Sequence, residues 1–302
     1  MAIRSRDLHR SELLTVRDVR CRPETLACGC EECSSRHALV FTRQGAFVFH
    51  DGNKRAVMDA NHVAFFNAGQ PRRVSHLDIA GDDCTALSFS DELLDEAVAT
   101  PGVPTPDRRN RPFPVRNALI VPDLTLRSQI FFDDLAQGDK TALKTEERGL
   151  ELLRQALRSI PRLLAENITP ASRKSSATRR LSLAAQEWVA ARPFDNWTLD
   201  CLARNVGSSP YHLSRVFRAE TGSTIHQYRL RLRLAAAVRA ILEGCNDLTG
   251  LAFDLGFSSH SHFTEAFRRR FGIAPSSLRA RTNRERRAQL RKNSTAALSP
   301  IR

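Results

Sequence analysis

The sequence lacks any apolar run long enough to span a bilayer, and it lacks the charged-then-apolar N-terminal pattern of an export signal. Neither membrane insertion nor secretion is therefore expected, and the predicted compartment is the cytoplasm. Its β-rich first part also lacks a His-x-His pair followed by glutamate, which leaves a metal enzyme built on a β-barrel without its ligand set. His50, His62 and His76 are spread over separate predicted strands and read as structural residues. The seven cysteines are an odd number in 302 residues and fit a reduced chain better than a disulfide framework. No cofactor is expected, and this length has room for two domains.

What the sequence does have is a degenerate repeat in its last third. Ala203, Gly207, His212, Phe217, Arg218, Gly222 and Arg229 recur as Ala252, Gly256, His262, Phe267, Arg268, Gly272 and Arg279. In each copy a short apolar-faced helix runs into a glycine, and a serine-rich turn then opens a second helix. Thr198 is the predicted N-cap of the first helix, with Leu199, Leu202, Ala203 and Val206 on one face. Gly207 supplies the left-handed turn, Ser209 caps the next helix, and Pro210 sits in its first turn, where a missing N–H costs nothing. Leu248, Leu251, Ala252 and Leu255, then Gly256 and Ser258 or Ser259, repeat the scheme. This is the grammar of a helix-turn-helix, present twice, over about 199–220 and 248–271.

The second helix of each unit has an apolar side (Leu213, Val216, Phe217; Phe263, Ala266, Phe267, Phe271) and a polar side able to reach base edges or phosphates. Ile225 to Glu243 contains neither Gly nor Pro and is predicted to be one helix, roughly 28 Å long at 1.5 Å per residue. Such a rod approaches the roughly 34 Å between successive major-groove faces of B-DNA. Charge agrees: residues 171–302 carry 23 Lys+Arg against 9 Asp+Glu, whereas the first 170 residues carry 23 against 24. The excess positive charge lies where a polyanion would bind, and arginine dominates it, as suits bidentate contact with phosphate or guanine.

Positions 181–282 resemble the DNA-binding domain of the AraC/XylS family of bacterial transcription regulators. The resemblance is carried by Trp197-Thr198-Leu199, by Ser209 through Arg218, by Gly256 through Phe263, and by Phe267 through Ser276. It implies a seven-helix domain with two helix-turn-helix units, acting as an activator or repressor near promoters. It also implies base reading by Tyr211, Ser214 and Arg215 in the first unit and by His260, Ser261, Thr264 and Glu265 in the second. Glu265 departs from the basic character of many members. The expected phosphate contacts are Ser209, His212, Arg218, His262, Arg268 and Arg269.

Ahead of this lies an expected sensing or dimerisation domain over 1–168, a linker over 169–179, the DNA-binding domain over 180–283, and a basic tail over 284–302. The fold class is thus α+β, with a β-rich N-terminal part followed by an all-α part. Short apolar runs separated by Gly, Asp and Asn clusters predict strands up to about residue 100, as a small antiparallel barrel or sandwich. In regulators similar to this one that region often resembles a cupin barrel holding a small effector. Helices are predicted from about Asp123 to Ala136 and from about Ala142 to Glu166, within 115–166. The second carries Leu143, Leu150, Leu153, Leu157, Ile160 and Leu164 at near-heptad spacing, a face for packing or for a homodimer. Partners expected are double-stranded DNA, RNA polymerase and a small effector.

Cys28, Cys30 and Cys33, with Cys21 before and His37 after, read first as reduced thiols in a loop at the barrel's edge with no metal expected, and they leave two alternatives open. One is a metal- or redox-responsive regulator. The other is a cysteine alkyl acceptor joined to the same DNA-binding domain.

Overall fold

Alternate residues of single strands serve two different cores, and this organises the first half of the molecule. The computed structural model describes residues 2–26, 29, 31–52, 54–98, 112–138, 141–160 and 176–284. Cys28, Cys30, residues 99–111, the predicted helix end at 161–166, the linker residues 169–175 and the tail beyond 284 lie outside the described residues.

Ten strands are present among the described residues: β1 (Ala2–Arg10), β2 (Leu14–Arg22), β3 (Glu32–Cys33), β4 (His37–Gly45), β5 (Phe47–Asp51), β6 (Lys54–Met58), β7 (His62–Phe66), β8 (Pro71–His76), β9 (Asp82–Phe89) and β10 (Asn117–Leu119). They form two sheets, of order β1-β2-β9-β4-β7-β10 and β3-β8-β5-β6, with antiparallel pairing throughout. The predicted strands are there, but no closed barrel is: each sheet keeps two edges among the described residues, the arrangement of a sandwich.

On the six-stranded sheet, Leu14, Val16, Leu39, Phe41, Val63, Phe65, Leu87 and Phe89 face a helical layer. That layer is α1 (Asp91–Val98), α2 (Pro122–Ala136) and α3 (Ala142–Arg158), contributing Leu93, Leu124, Phe131, Leu150, Leu153 and Leu157. The intervening residues Ala38, Val40, Ala64, Phe66 and Cys84 point the other way, onto Phe47, Phe49 and Met58 of the four-stranded sheet. The period of two along a pleated strand produces this division. Of the predicted near-heptad stripe, Leu150, Leu153, Leu157 and Ile160 are buried, while Leu143 is 69% exposed. The described part of the stripe, Leu143 aside, is intramolecular packing.

The second half is helical: α4 (Ser176–Ala191), α5 (Leu199–Asn205), α6 (Pro210–Thr221), α7 (Ile225–Leu242), α8 (Leu248–Asp254), α9 (His260–Phe271) and a last helix over 275–284. Residues 176–179, read from sequence as the end of a linker, already belong to α4. Two apolar clusters hold the helices together. One gathers Leu202, Ala203, Leu213, Phe217 and Tyr228, the other Leu251, Ala252, Phe263, Phe267 and Val238. The helix α7 supplies residues to both.

The halves touch. Ala46, Val48 and Val57, on the outer face of the small sheet, pack on Ala190 of α4, and Arg55 Nη2 lies 2.6 Å from Glu187 Oε1. Gln129 of α2 donates to the Ala235 carbonyl of α7 at 3.2 Å. Asp59, fully buried at the β6–β7 turn, receives the Tyr228 hydroxyl of α7 at 2.5 Å, the Asn61 N–H at 2.9 Å, and lies 2.8 Å from His62 Nδ1. Burial and the Asp59 carboxylate hold the Tyr228 phenol well above the ordinary tyrosine range, so it stays a donor.

Candidate nucleic-acid interface

Each predicted cap is in place. Thr198 Oγ1 accepts the Cys201 N–H at 3.3 Å, Ser209 Oγ the His212 N–H at 3.3 Å, and Ser259 Oγ the His262 N–H at 3.1 Å. Asp247 caps α8 by accepting from the Thr249 and Gly250 amides at 3.0 and 2.9 Å. Gly207 and Gly256 both turn through positive φ, at 67° and 76°. At Gly256 a side chain is also sterically excluded, because its Cβ would sit 2.8 Å from the Phe194 carbonyl oxygen. Sequence reading placed Leu199 on the buried face, but it is 37% exposed, because it lies at the first position of α5 while Leu202 and Ala203 carry the packing.

The two exposed helices present matching faces. Residues 211–220 and 261–270 follow the same order of exposed, half-buried and buried positions at every step. Leu213, Val216 and Phe217 go inward as Phe263, Ala266 and Phe267 do. Tyr211, His212, Arg215 and Arg218 stand exposed where Ser261, His262, Glu265 and Arg268 stand in the second unit, with Ser214 and Thr264 half-buried beside them. Tyr211, 79% exposed, is a large ring presented to solvent on the first face. His260 is exposed at the start of α9, its Nε2 3.3 Å from Thr264 Oγ1, and Ser258 Oγ lies 3.3 Å from His262 Nδ1. All the side chains read from sequence as base or phosphate contacts thus lie on these two helices or, for Ser209, at the cap of the first.

The faces differ in charge. Arg215 and Arg218 form no ion pair among the described residues, whereas Glu265 pairs with Arg269 one turn along α9. Glu265 and Arg269, for which the resemblance implies base and phosphate contacts, are both exposed and pair with each other.

Sequence reasoning missed the role of the repeated arginines on α7 and the last helix. Arg229 donates to the Pro193 carbonyl at 3.0 Å and stacks over Trp197, its guanidinium 4.0 Å from the ring centroid. Arg279 donates to the Asn246 carbonyl. Each therefore ties down the loop that precedes its unit's first helix, Leu199 in one case and Leu248 in the other. Arg233 joins the units, donating to Pro193 at 2.7 Å and to the Gly256 carbonyl at 2.6 Å. Desolvation brings Arg229 down to about 10 and Arg270 likewise. The signal was the Arg229/Arg279 coincidence itself, which was visible but not assigned a task.

Elsewhere, Cys33 is exposed on β3, and His37 is buried, its Nδ1 accepting the Ala68 amide at 3.1 Å. His37 thus holds a turn, and burial lowers its pKa. Among the described residues no helix is long and apolar enough to cross a membrane.

Comparison with known proteins adds to this geometry. The family described as "Helix-turn-helix domain" matches residues 202–281. The chain is 32% identical over 95 residues to the Regulatory protein SoxS of Salmonella typhimurium, covering 32% of this chain and 89% of that protein. The chain belongs to the AraC/XylS family of transcription regulators. Another similar AraC/XylS protein is the HTH-type transcriptional regulator GlxA of Rhizobium meliloti, 36% identical over 100 residues. That match covers 33% of this chain and 30% of GlxA. Among solved structures, a transcriptional regulator with an AraC-type DNA-binding domain from Chromobacterium violaceum overlaps 36% of this chain and 96% of its own, at 27% identity and a TM-score of 0.33.

Proposed function

We propose that this AraC/XylS member regulates transcription by setting α6 and α9 into adjacent major-groove segments of a specific operator. The observation that carries the reading is the position-by-position match of their exposed faces, on units joined by one helix. The 18 residues of α7 span about 27 Å, within reach of the roughly 34 Å repeat of the groove. Arg215 is the principal base reader, with Tyr211, Ser214, His260, Ser261 and Thr264 beside it. Ser209, His212, Arg218, His262 and Arg268 meet phosphate. Hydroxyl-radical footprinting on a genomic site selected by the full chain should show two protected patches one helical turn apart; protection of a single turn would refute the reading.

Arg215→Ala is expected to cost about 1–3 kcal/mol on the selected site and to relax one base position. Equal losses on random DNA would make Arg215 a phosphate contact instead. Glu265→Gln is expected to release Arg269 and steepen the salt dependence of binding by about one unit of log K against log salt. An unchanged slope would show that Arg269 already faces away from the backbone.

The N-terminal half, residues 1–168, is on this reading the sensing part, and 180–283 the DNA-binding domain. The space between the sheets, where a cupin-like barrel would hold a ligand, is filled by Phe47, Phe49, Met58 and Phe66. A small effector fits better in the cleft of about 620 Å³ bordered by Asp123, Arg127, Ile130 and Arg148 from α2 and α3 and by Arg281 from the last helix. An occupant there would touch both halves. Self-association and contact with RNA polymerase complete the proposed mode of action.

A further inference from the structure

We propose that Cys21, His76 and Asp82 form a binding site for a zinc-class divalent transition metal at one end of the sandwich. Their ligand atoms all lie within 4.8 Å of one another. The site is assembled by register. Cys21 of β2 is paired with Asp82 of β9, so both side chains leave the same face of the six-stranded sheet. Cys84, two residues along β9, shares that face and points between the sheets. His76 is the last residue of β8 in the facing sheet and reaches across. The turn that joins β8 to β9 lies directly on β2. A side chain at Gly81 would collide with the Cys21 carbonyl, so glycine is what lets the three ligands come together.

A second observation points to a cation. His76 and Asp82 are 4% and 3% exposed, and His76 Nε2 comes within 3.0 Å of Asp82 Oδ1. The two face each other as an ion pair, but in a geometry that gives neither atom a hydrogen bond among the described residues. Two polar atoms buried side by side without a hydrogen bond are costly unless a shared partner lying against both satisfies them. The other carboxylate oxygen of Asp82 is held by the Cys84 thiol at 3.1 Å, the kind of outer partner that fixes a ligand's orientation. Sulfur, imidazole and carboxylate together suit a borderline ion such as Zn²⁺ or Co²⁺, bound at about 2.0–2.3 Å. Mg²⁺ and Ca²⁺ prefer oxygen alone. Cys21 is only partly buried, so the cluster is not sealed from solvent. Binding displaces the thiol proton to solvent, leaving a thiolate on the metal.

The test uses the full chain, reduced, stripped with chelator, and carrying Cys28→Ser, Cys30→Ser and Cys33→Ser so that those three thiols contribute nothing. Titration with Co²⁺ should give one equivalent with thiolate-to-cobalt charge-transfer absorption, displaced by Zn²⁺. Cys21→Ser should remove that absorption, and His76→Gln should weaken binding by at least about 10–100-fold. A readout that needs no site variant is alkylation followed by peptide mass spectrometry, in which one equivalent of Zn²⁺ should protect Cys21. Absence of the charge-transfer band, its persistence in Cys21→Ser, or Cys21 labelling indifferent to zinc would each overturn the assignment.

Discussion

Phe217→Ala and Phe267→Ala should each destabilise the helical half by about 3–5 kcal/mol, the cost of emptying a fully buried aromatic site. The two rings occupy the same place in the repeat but different surroundings. Phe217 stands edge-on to Tyr228 at 5.4 Å, and Phe267 contacts Phe263 and Phe271 at 5.8 and 4.8 Å. Because α7 lends side chains to both clusters, either truncation should lower one shared unfolding transition. Denaturant melts followed by circular dichroism check this. A separate early transition in Phe267→Ala, with the remainder melting as in the parent, would mean that the two units fold independently.

Asp59→Ala has the second large expected effect. Asp59 is fully buried and gathers the Asn61 amide, His62 and the Tyr228 hydroxyl where the β-rich half meets α7. Alanine there strands buried donors at the seam, and a loss of about 3–5 kcal/mol is expected. Tyr228→Phe, which removes one of the three partners, should cost about 1–3 kcal/mol. Since Tyr228 lies on the helix that carries both reading units, Asp59→Ala should also change operator affinity. Stability lost with affinity unaltered at temperatures where the variant is folded would show that the seam holds the halves together without relaying anything between them.

Much of the helical half was legible from sequence because its signals are local. Ser209, Pro210, Gly222, Thr198 and the glycine turns act on their own few neighbours, and each does what its chemistry requires. The 3.6-residue period identified Leu213, Val216 and Phe217 as inward-facing for the same reason. The sheets were readable only as strands. Their arrangement depends on which distant segments pair, such as β2 with β9 or β3 with β8, and no short-range pattern encodes that. The Asp59–Tyr228 contact and the Cys21, His76 and Asp82 cluster were invisible on the same ground. Tyr228 and Cys21 lie far along the chain from their partners, and none of these residues carries a characteristic spacing. The Glu265–Arg269 pair, four residues apart on one helix, is the kind of contact that sequence spacing alone makes legible.

The inward-turned guanidiniums have an experimental consequence. Arg229, Arg233 and Arg279 grip backbone carbonyls, and Arg270 is turned toward the Ile120 carbonyl in the β-rich half. Those four cations serve as internal rivets and are withheld from the counterion exchange that accompanies duplex binding. Ion release on complex formation should accordingly fall short of what a tally of basic residues in this half would forecast.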